Sequence, residues 1–211
     1  MNKLLLFIIV ANVLFSLKGF NDRSFFEKFK FNVAGIKNGE FIRHLSSGFL
    51  HVDYIHLFFN MYVLYIFAPH LIYEFGTLLF GLIYFVCLLA SSVFSYTYHK
   101  NEMYYSAVGA SGAVAGILYA VILLHPEMTL IMFPLPIPLP SYVFGIGYLL
   151  YSIYGMKKQL GNIGHSAHLG GAVSGYLLTI AIKSSLILEH TFVVVLLAIP
   201  IVILFFLPQK K

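Results

Sequence analysis

Long apolar stretches alternate with short polar ones along almost the whole chain. Seven apolar runs stand out, at roughly 4–20, 49–69, 77–97, 106–124, 139–156, 163–182 and 186–207. Most approach the about 17–25 residues that a helix needs to cross the hydrocarbon of a bilayer. The pattern therefore predicts an all-α, polytopic membrane helix bundle. The first run is short and follows Lys3, as in a signal peptide, but it lacks an Ala-x-Ala-like cleavage signal and Lys18 closes it, so it reads as a retained helix.

The connections carry their own signals. Residues 20–48 make one long loop with Arg23, Lys28, Lys30, Lys37 and Arg43, in which Phe25, Phe26 and Phe29 share a helical face, as in a segment lying in the membrane interface. Pro134, Pro136, Pro138 and Pro140 alternate with apolar residues; a regular helix cannot pass through them, so they separate runs four and five. Gly145, Gly147 and Gly155 leave run five either loosely or closely packed.

Composition excludes whole classes. Hydrophobic residues make up 60% of the 211 positions and charged ones 10%, with a mean hydropathy of +0.88. A soluble domain carries about 25% charged and 45–50% apolar residues. One core of this length cannot bury so much apolar surface, which rules out a soluble globular domain, a disordered chain and a nucleic-acid binder. The net charge of +5 comes from Lys and Arg lying mostly between the runs, as loop charges and headgroup anchors. The single cysteine, Cys87, excludes an internal disulfide and a Cys-based zinc site, and reads as a packing residue.

Polar residues inside lipid are costly and mark functional candidates. They gather in three runs: His51, Asp53, His56 and Asn60 in the second, Ser106 and Ser111 in the fourth, and His165, Ser166 and His168 in the sixth. Helices two, four and six point the same way. At ~1.5 Å per residue Ser111 lies about 7 Å along its run, His168 about 8 Å, His56 about 10 Å and Asn60 about 16 Å, so all four sit in one leaflet. His56 and Asn60, spaced i, i+4, share a face. Gly112 and Gly116 form a Gly-x-x-x-Gly step beside Ser111, and Gly170, Gly171 and Gly175 give the sixth run an equally small face. Two such helices packed tightly can put a serine hydroxyl within reach of an imidazole. A serine needs a base to become a nucleophile, and donors to hold the oxyanion it creates. No Asp or Glu falls in run four or early run six, so a Ser–His dyad is expected rather than a triad.

At this point the residues resemble the rhomboid family of intramembrane serine proteases. The likeness covers about 40 to 182 and rests on Gly109-Ala110-Ser111-Gly112, His168-Leu169-Gly170-Gly171 and His56-Leu57-Phe58-Phe59-Asn60. It implies a six-helix catalytic core over 1–182, with the long first loop at 20–48; the run at 186–207 is a transmembrane helix additional to that core, as in six-plus-one members of the family. It implies a serine-type endopeptidase with Ser111 as nucleophile, His168 as general base, and His56 and Asn60 as oxyanion donors. His51, Gly109, Gly112, Gly171 and Arg43 would support them. Arg43 would match the arginine of a Trp-Arg pair. No metal or cofactor is implied. The implied partners are membrane proteins with a locally unwound transmembrane segment, and the lipid bilayer, and the implied place is a bacterial inner membrane.

The chain departs from the family at two positions. Ile42 stands where Trp is frequent, and Ala115 where an aromatic often packs beneath the catalytic histidine; Tyr119 or Tyr105 is expected to take that part. Orientation is also in conflict. The family topology leaves only Lys3 and Lys183 on the N-terminal side and the other eleven Lys and Arg, including Lys157, Lys158, Lys210 and Lys211, on the far side, whereas the positive-inside rule favours the reverse.

Other readings compete. His51, His56, His165 and His168 could gather round a metal in a binding or transport protein, although no carboxylate accompanies them and Ser111 and Asn60 would go unexplained. A non-catalytic, client-binding rhomboid-like protein is a third class. Residue by residue, His51 reads as structural, His165 as a polar residue at the water boundary, Asp53 as a helix cap, and Tyr104 and Tyr105 as an interfacial belt, while interhelical glue is the alternative for Asn60.

Overall fold

A computed structural model describes residues 1–132, 135–161 and 163–206. Pro134, Leu207, Lys210 and Lys211, used in the sequence analysis, lie outside the described residues. The long helices are α1 (Lys3–Asn21), α5 (Tyr54–His99), α6 (Ser111–Leu124), α7 (Ser141–Lys158), α8 (His165–Ile182) and α10 (Thr191–Phe205). Short helices fill the connections: α2 (Arg23–Phe29), α3 (Val33–Lys37), α4 (Arg43–Ser46) and α9 (Leu186–Glu189). Gly76, at φ 80° and ψ 170°, is non-helical and divides α5 into two pieces that correspond to runs two and three. All seven apolar runs are thus helical in their main part.

Run seven is divided at His190 into α9 and α10, and two further boundaries differ from the sequence reading in ways that matter for the site. Run four was expected to begin near Ser106, but Ser106–Ala107 is a strand, β2, paired antiparallel with β1 (Phe31–Asn32), and the helix starts only at Ser111. Run two was expected to begin at 49, but Asp53 caps a helix that begins at Tyr54, its carboxylate accepting from the His56 N–H at 2.7 Å. His51 therefore lies in the loop before α5. The proline-rich stretch is a hairpin rather than a bare break: β3 (Thr129–Met132) pairs antiparallel with β4 (Leu135–Pro140).

The centre of the bundle is α6. Every residue from Gly112 to Leu124 is buried, and α5 and α8 pack along its length. Its short span, about 21 Å at 1.5 Å per residue, suits a helix enclosed by protein. The contact with α8 is made backbone to backbone. A Cβ on Gly171 would fall on the Gly112 carbonyl, and one on Gly175 on the Gly116 carbonyl. Two i, i+4 glycine steps thus face each other, as the small-residue pattern predicts. Gly116 also accommodates the buried Cys87 side chain.

The outside of the bundle is apolar. Phe7, Leu78, Leu188 and Phe192 are all more than half exposed. In water such a surface would drive aggregation; in a bilayer it is the natural exterior. Among the described residues two helices, Lys3–Asn21 and Tyr54–His99, are long and apolar enough to cross a membrane. At the end of the bundle that holds the N-terminus, the Lys183 ammonium pairs with Glu74 at 2.6 Å and the Asn2 amide donates to Thr77 at 2.7 Å.

The helix contact predicts the first experiment. Gly175→Leu leaves no room between α6 and α8 and should destabilise the protein by about 2–3 kcal/mol, seen as a lower thermal midpoint in detergent. An unchanged midpoint would contradict this packing.

Candidate active site

The segment before α6 is built by the first loop. Arg43, almost fully buried, donates through Nη1 to the carbonyls of Glu27 and Lys30, both at 2.8 Å, and through Nε to the Glu40 carboxylate. It gathers α2, α3 and α4 into one unit, while Ile42, at the family's tryptophan position, is exposed. The β1–β2 pairing then holds residues 106–107 against that unit, and the Gly109 N–H donates to the Ser47 carbonyl at 3.0 Å. His44, in the same loop, sits 2.9 Å from the Ser92 hydroxyl, and burial holds its imidazole below its usual pKa.

Gly109 makes the turn into α6. Its φ of +131° is a conformation L side chains rarely adopt, and a Cβ there would come within 2.7 Å of the His56 ring. Ser111 follows as the first residue of α6. The first N–H groups of a helix have no partner within it, and the peptide dipoles add partial positive charge at that end. The sequence reading missed this electrostatic feature, because it placed Ser111 inside the run rather than at its mouth.

Across the α6–α8 contact, the His168 Nε2 lies 2.8 Å from the Ser111 hydroxyl oxygen. A neutral imidazole protonated on Nδ1 accepts the serine proton through Nε2. No carboxylate pairs with His168 among the described residues. Tyr148, on α7, stacks on its ring instead, with centroids 5.7 Å apart and planes at 26°. The expectation that Tyr119 or Tyr105 fills the place left by Ala115 is corrected here. The Tyr119 hydroxyl is turned to the Gly145 carbonyl, and Tyr105 lies stacked on His99, 3.5 Å away. Nor is Tyr105 part of an interfacial belt, since it packs inward and its hydroxyl is 3.4 Å from Ser166.

His56 and Asn60 both stand in the first turns of α5. The His56 ring contacts His51 edge-on at 4.9 Å, and its Nδ1 is buried without a hydrogen-bond partner. The Asn60 amide, nearly buried, donates to the His56 carbonyl at 3.0 Å. His51, fully buried, is more than structural filler. Its Nε2 accepts from the Ala110 N–H at 3.4 Å and its Nδ1 faces the Ser16 hydroxyl at 2.9 Å, which in turn donates to the Phe49 carbonyl at 3.1 Å. An amide can only donate and a carbonyl only accept, so the chain of bonds fixes the proton on Nδ1. The contribution of Ser16, one polar residue in an apolar run, went unread in the sequence.

His165 is buried rather than at a water boundary. Gly155 of α7 packs directly against its ring, its Nε2 faces the Leu160 carbonyl at 3.3 Å, and Tyr151 meets it edge-on. Run five is therefore close-packed at Gly155 and Gly145 and open at Gly147. The four histidines suggested as metal ligands pair off, His51 with His56 and His165 with His168, and among the described residues no group of three or more His, Cys, Asp or Glu is arranged to hold a metal. A cavity of about 40 Å³ lies behind Ser111, lined by Ser47, Ser91, Ser92, Gly109 and Ala167 among others.

Comparison with known proteins agrees with the motifs. A family profile, the rhomboid domain, matches residues 38–185. The chain is similar to rhomboid-like protein 12, mitochondrial, of Arabidopsis thaliana, with 30% identity over 182 residues, 78% of this chain and 54% of the relative. It is similar to rhomboid protein 1, mitochondrial, of Saccharomyces cerevisiae, with 30% identity over 136 residues, 63% and 39% respectively. It also resembles the presenilin-associated rhomboid-like protein, mitochondrial, of Bos taurus, with 34% identity over 137 residues, 62% and 35%. The chain thus spans about half or less of each relative's length. These relatives are mitochondrial, which overturns the bacterial inner membrane expected from the motifs.

The turn at Gly109 supplies a contrast. Gly109→Ala should cost about 2 kcal/mol through a strained φ and the clash with His56. Gly147→Ala, in open space on a helix, should gain about 0.5–1 kcal/mol. Thermal midpoints in detergent that move together would contradict the turn geometry.

Proposed function

The chain belongs to the rhomboid family, and on that premise we propose that it is an intramembrane serine endopeptidase working through a Ser111–His168 dyad. The observation that carries this reading is the 2.8 Å contact between the Ser111 hydroxyl and the His168 Nε2, at the amino end of a buried helix.

The chemistry follows from the parts. His168 takes the proton as the Ser111 oxygen attacks a peptide carbonyl carbon. The negative charge that develops on the carbonyl oxygen meets the N–H groups at the start of α6, with His56 and Asn60 as side-chain donors. A Cβ on Gly109 would lie 2.9 Å from the His56 Nε2 and 3.7 Å from the Ser111 hydroxyl oxygen, so both atoms border one point, which supports that part. His168 returns its proton to the leaving amine, and a water, deprotonated by His168, then releases the acyl group. The cavity behind Ser111, at about 40 Å³, exceeds the ~10–15 Å³ that one water needs.

In this reading α1, the two pieces of α5, α6, α7 and α8 are the six spans of the catalytic core, and α10 is a seventh. The substrate is a membrane protein. A regular transmembrane helix hides its carbonyls in its own hydrogen bonds, so the cleaved segment must unwind, and small or helix-breaking residues should flank the cleaved bond. The relatives favour a mitochondrial membrane as the place of action. A client-binding rhomboid-like protein without catalysis would have no need of a serine and a histidine in hydrogen-bond contact.

A fluorophosphonate probe tests the dyad. The detergent-solubilised protein should be labelled; Ser111→Ala should abolish labelling and His168→Ala reduce it at least about a hundredfold, while a chelator should change nothing. Labelling that survives Ser111→Ala contradicts the mechanism, and loss with chelator alone favours a metal enzyme.

A further inference from the structure

His168 is held on one side by Ser111, but a single hydrogen bond leaves an imidazole free to swing about its Cβ–Cγ bond. Something must fix the ring plane. On α6 the position one turn beyond Ser111 is Ala115, whose methyl offers no ring face. The ring that stacks on His168 comes instead from α7: Tyr148, at 5.7 Å and 26°, whereas His165 meets it only edge-on at 6.3 Å. Tyr148 is itself stacked by Phe144, one turn earlier on α7, at 6.0 Å and 22°. Phe144, Tyr148 and His168 therefore form a column of near-parallel rings, two of the three supplied by α7. Tyr119 stands 6.3 Å from Tyr148 at 47°, with its hydroxyl on the Gly145 carbonyl, so it steadies α7 rather than His168.

The seat of α7 is defined from behind. Leu197 of α10 lies 3.3 Å from where a Gly145 Cβ would stand, and Tyr142 meets Phe192 of α10 edge-on at 6.3 Å. On the inner side Gly155 closes onto the His165 ring. The helix is thus clamped between α8 and the additional helix α10, and its clamped position sets the ring column.

We propose that Tyr148 is a positioning residue that holds the His168 imidazole in the plane required for proton transfer with Ser111. The alignment of the dyad is then set by α7, and α10 contributes to it from behind. The inference rests on the protease reading. Offset stacking supplies the orientation, and the phenol hydroxyl is not needed for it. A base misplaced by an ångström loses rate in the chemical step without losing substrate binding.

Steady-state cleavage of a transmembrane reporter in proteoliposomes separates the cases. Tyr148→Phe should keep kcat within about twofold, whereas Tyr148→Leu, of similar apolar bulk, should lower kcat about tenfold to a hundredfold with KM within about twofold. Phe144→Leu, which thins the column one ring further from His168, should stay within about threefold. Tyr148→Met serves in place of the leucine variant should that one fail to fold. The proposal is overturned by a leucine or methionine variant with wild-type kcat, by Phe144→Leu losing as much as Tyr148→Leu, or by a loss confined to KM. A wild type without activity overturns the protease reading and this one with it, whereas activity that survives Tyr148→Leu overturns this one alone.

Discussion

The approach of α6 and α8 at backbone distance is the constraint on which the rest depends. Neither helix could come so near with side chains in between, because Gly112 and Gly116 meet Gly171 and Gly175 carbonyl to Cα. Hydrophobic attraction does little between helices in lipid, so shape decides which pairs pack. Once that contact is made, the first turns of both helices fall side by side, and Ser111 and His168 reach each other without strain in the longer elements. The contact between Ser111 and His168 is thus a by-product of where the side chains are missing.

A serine at the first residue of a helix needs its preceding turn held still. Three independent devices do this: the short β1–β2 pairing, the bond from Gly109 to Ser47, and the bond from Ala110 to His51. The last of these is anchored on α1 through Ser16, in a part of the chain before the family match at residue 38. The first loop, which reads in sequence as interfacial and basic, is therefore the scaffold of the site. Arg43 earns its place there by tying backbone carbonyls together.

Much of this was legible in advance. Apolar run length gave the seven helical segments, and the spacing of small residues gave the α6–α8 contact. Order and parity alone brought Ser111, His168, His56 and Asn60 to one end. What stayed hidden is instructive. The start of α6 was misplaced by five residues because Ser106–Ala107 is as apolar in context as a helix turn, and only its partner strand, some 75 positions away, makes it β. His165 looked like a boundary residue because nothing local reveals that Gly155, ten residues earlier, packs on its ring. Tyr148 was invisible for a similar reason: Ala115 pointed to a missing ring, but an aromatic on a membrane helix is ordinary, and only the packing of α7 against α8 shows which one stacks on the imidazole. Long-range partners, rather than local pattern, account for each of these.

The central claim is that Ser111 and His168 cleave a peptide bond inside the membrane. Its most direct measurement is mass spectrometry of the products from purified protein and a single-span reporter, co-reconstituted in liposomes. The account predicts one cut within the span, beside small or helix-breaking residues, produced by wild type and by neither Ser111→Ala nor His168→Ala. An intact reporter with wild-type protein, or the same cut from the Ser111→Ala variant, would contradict it.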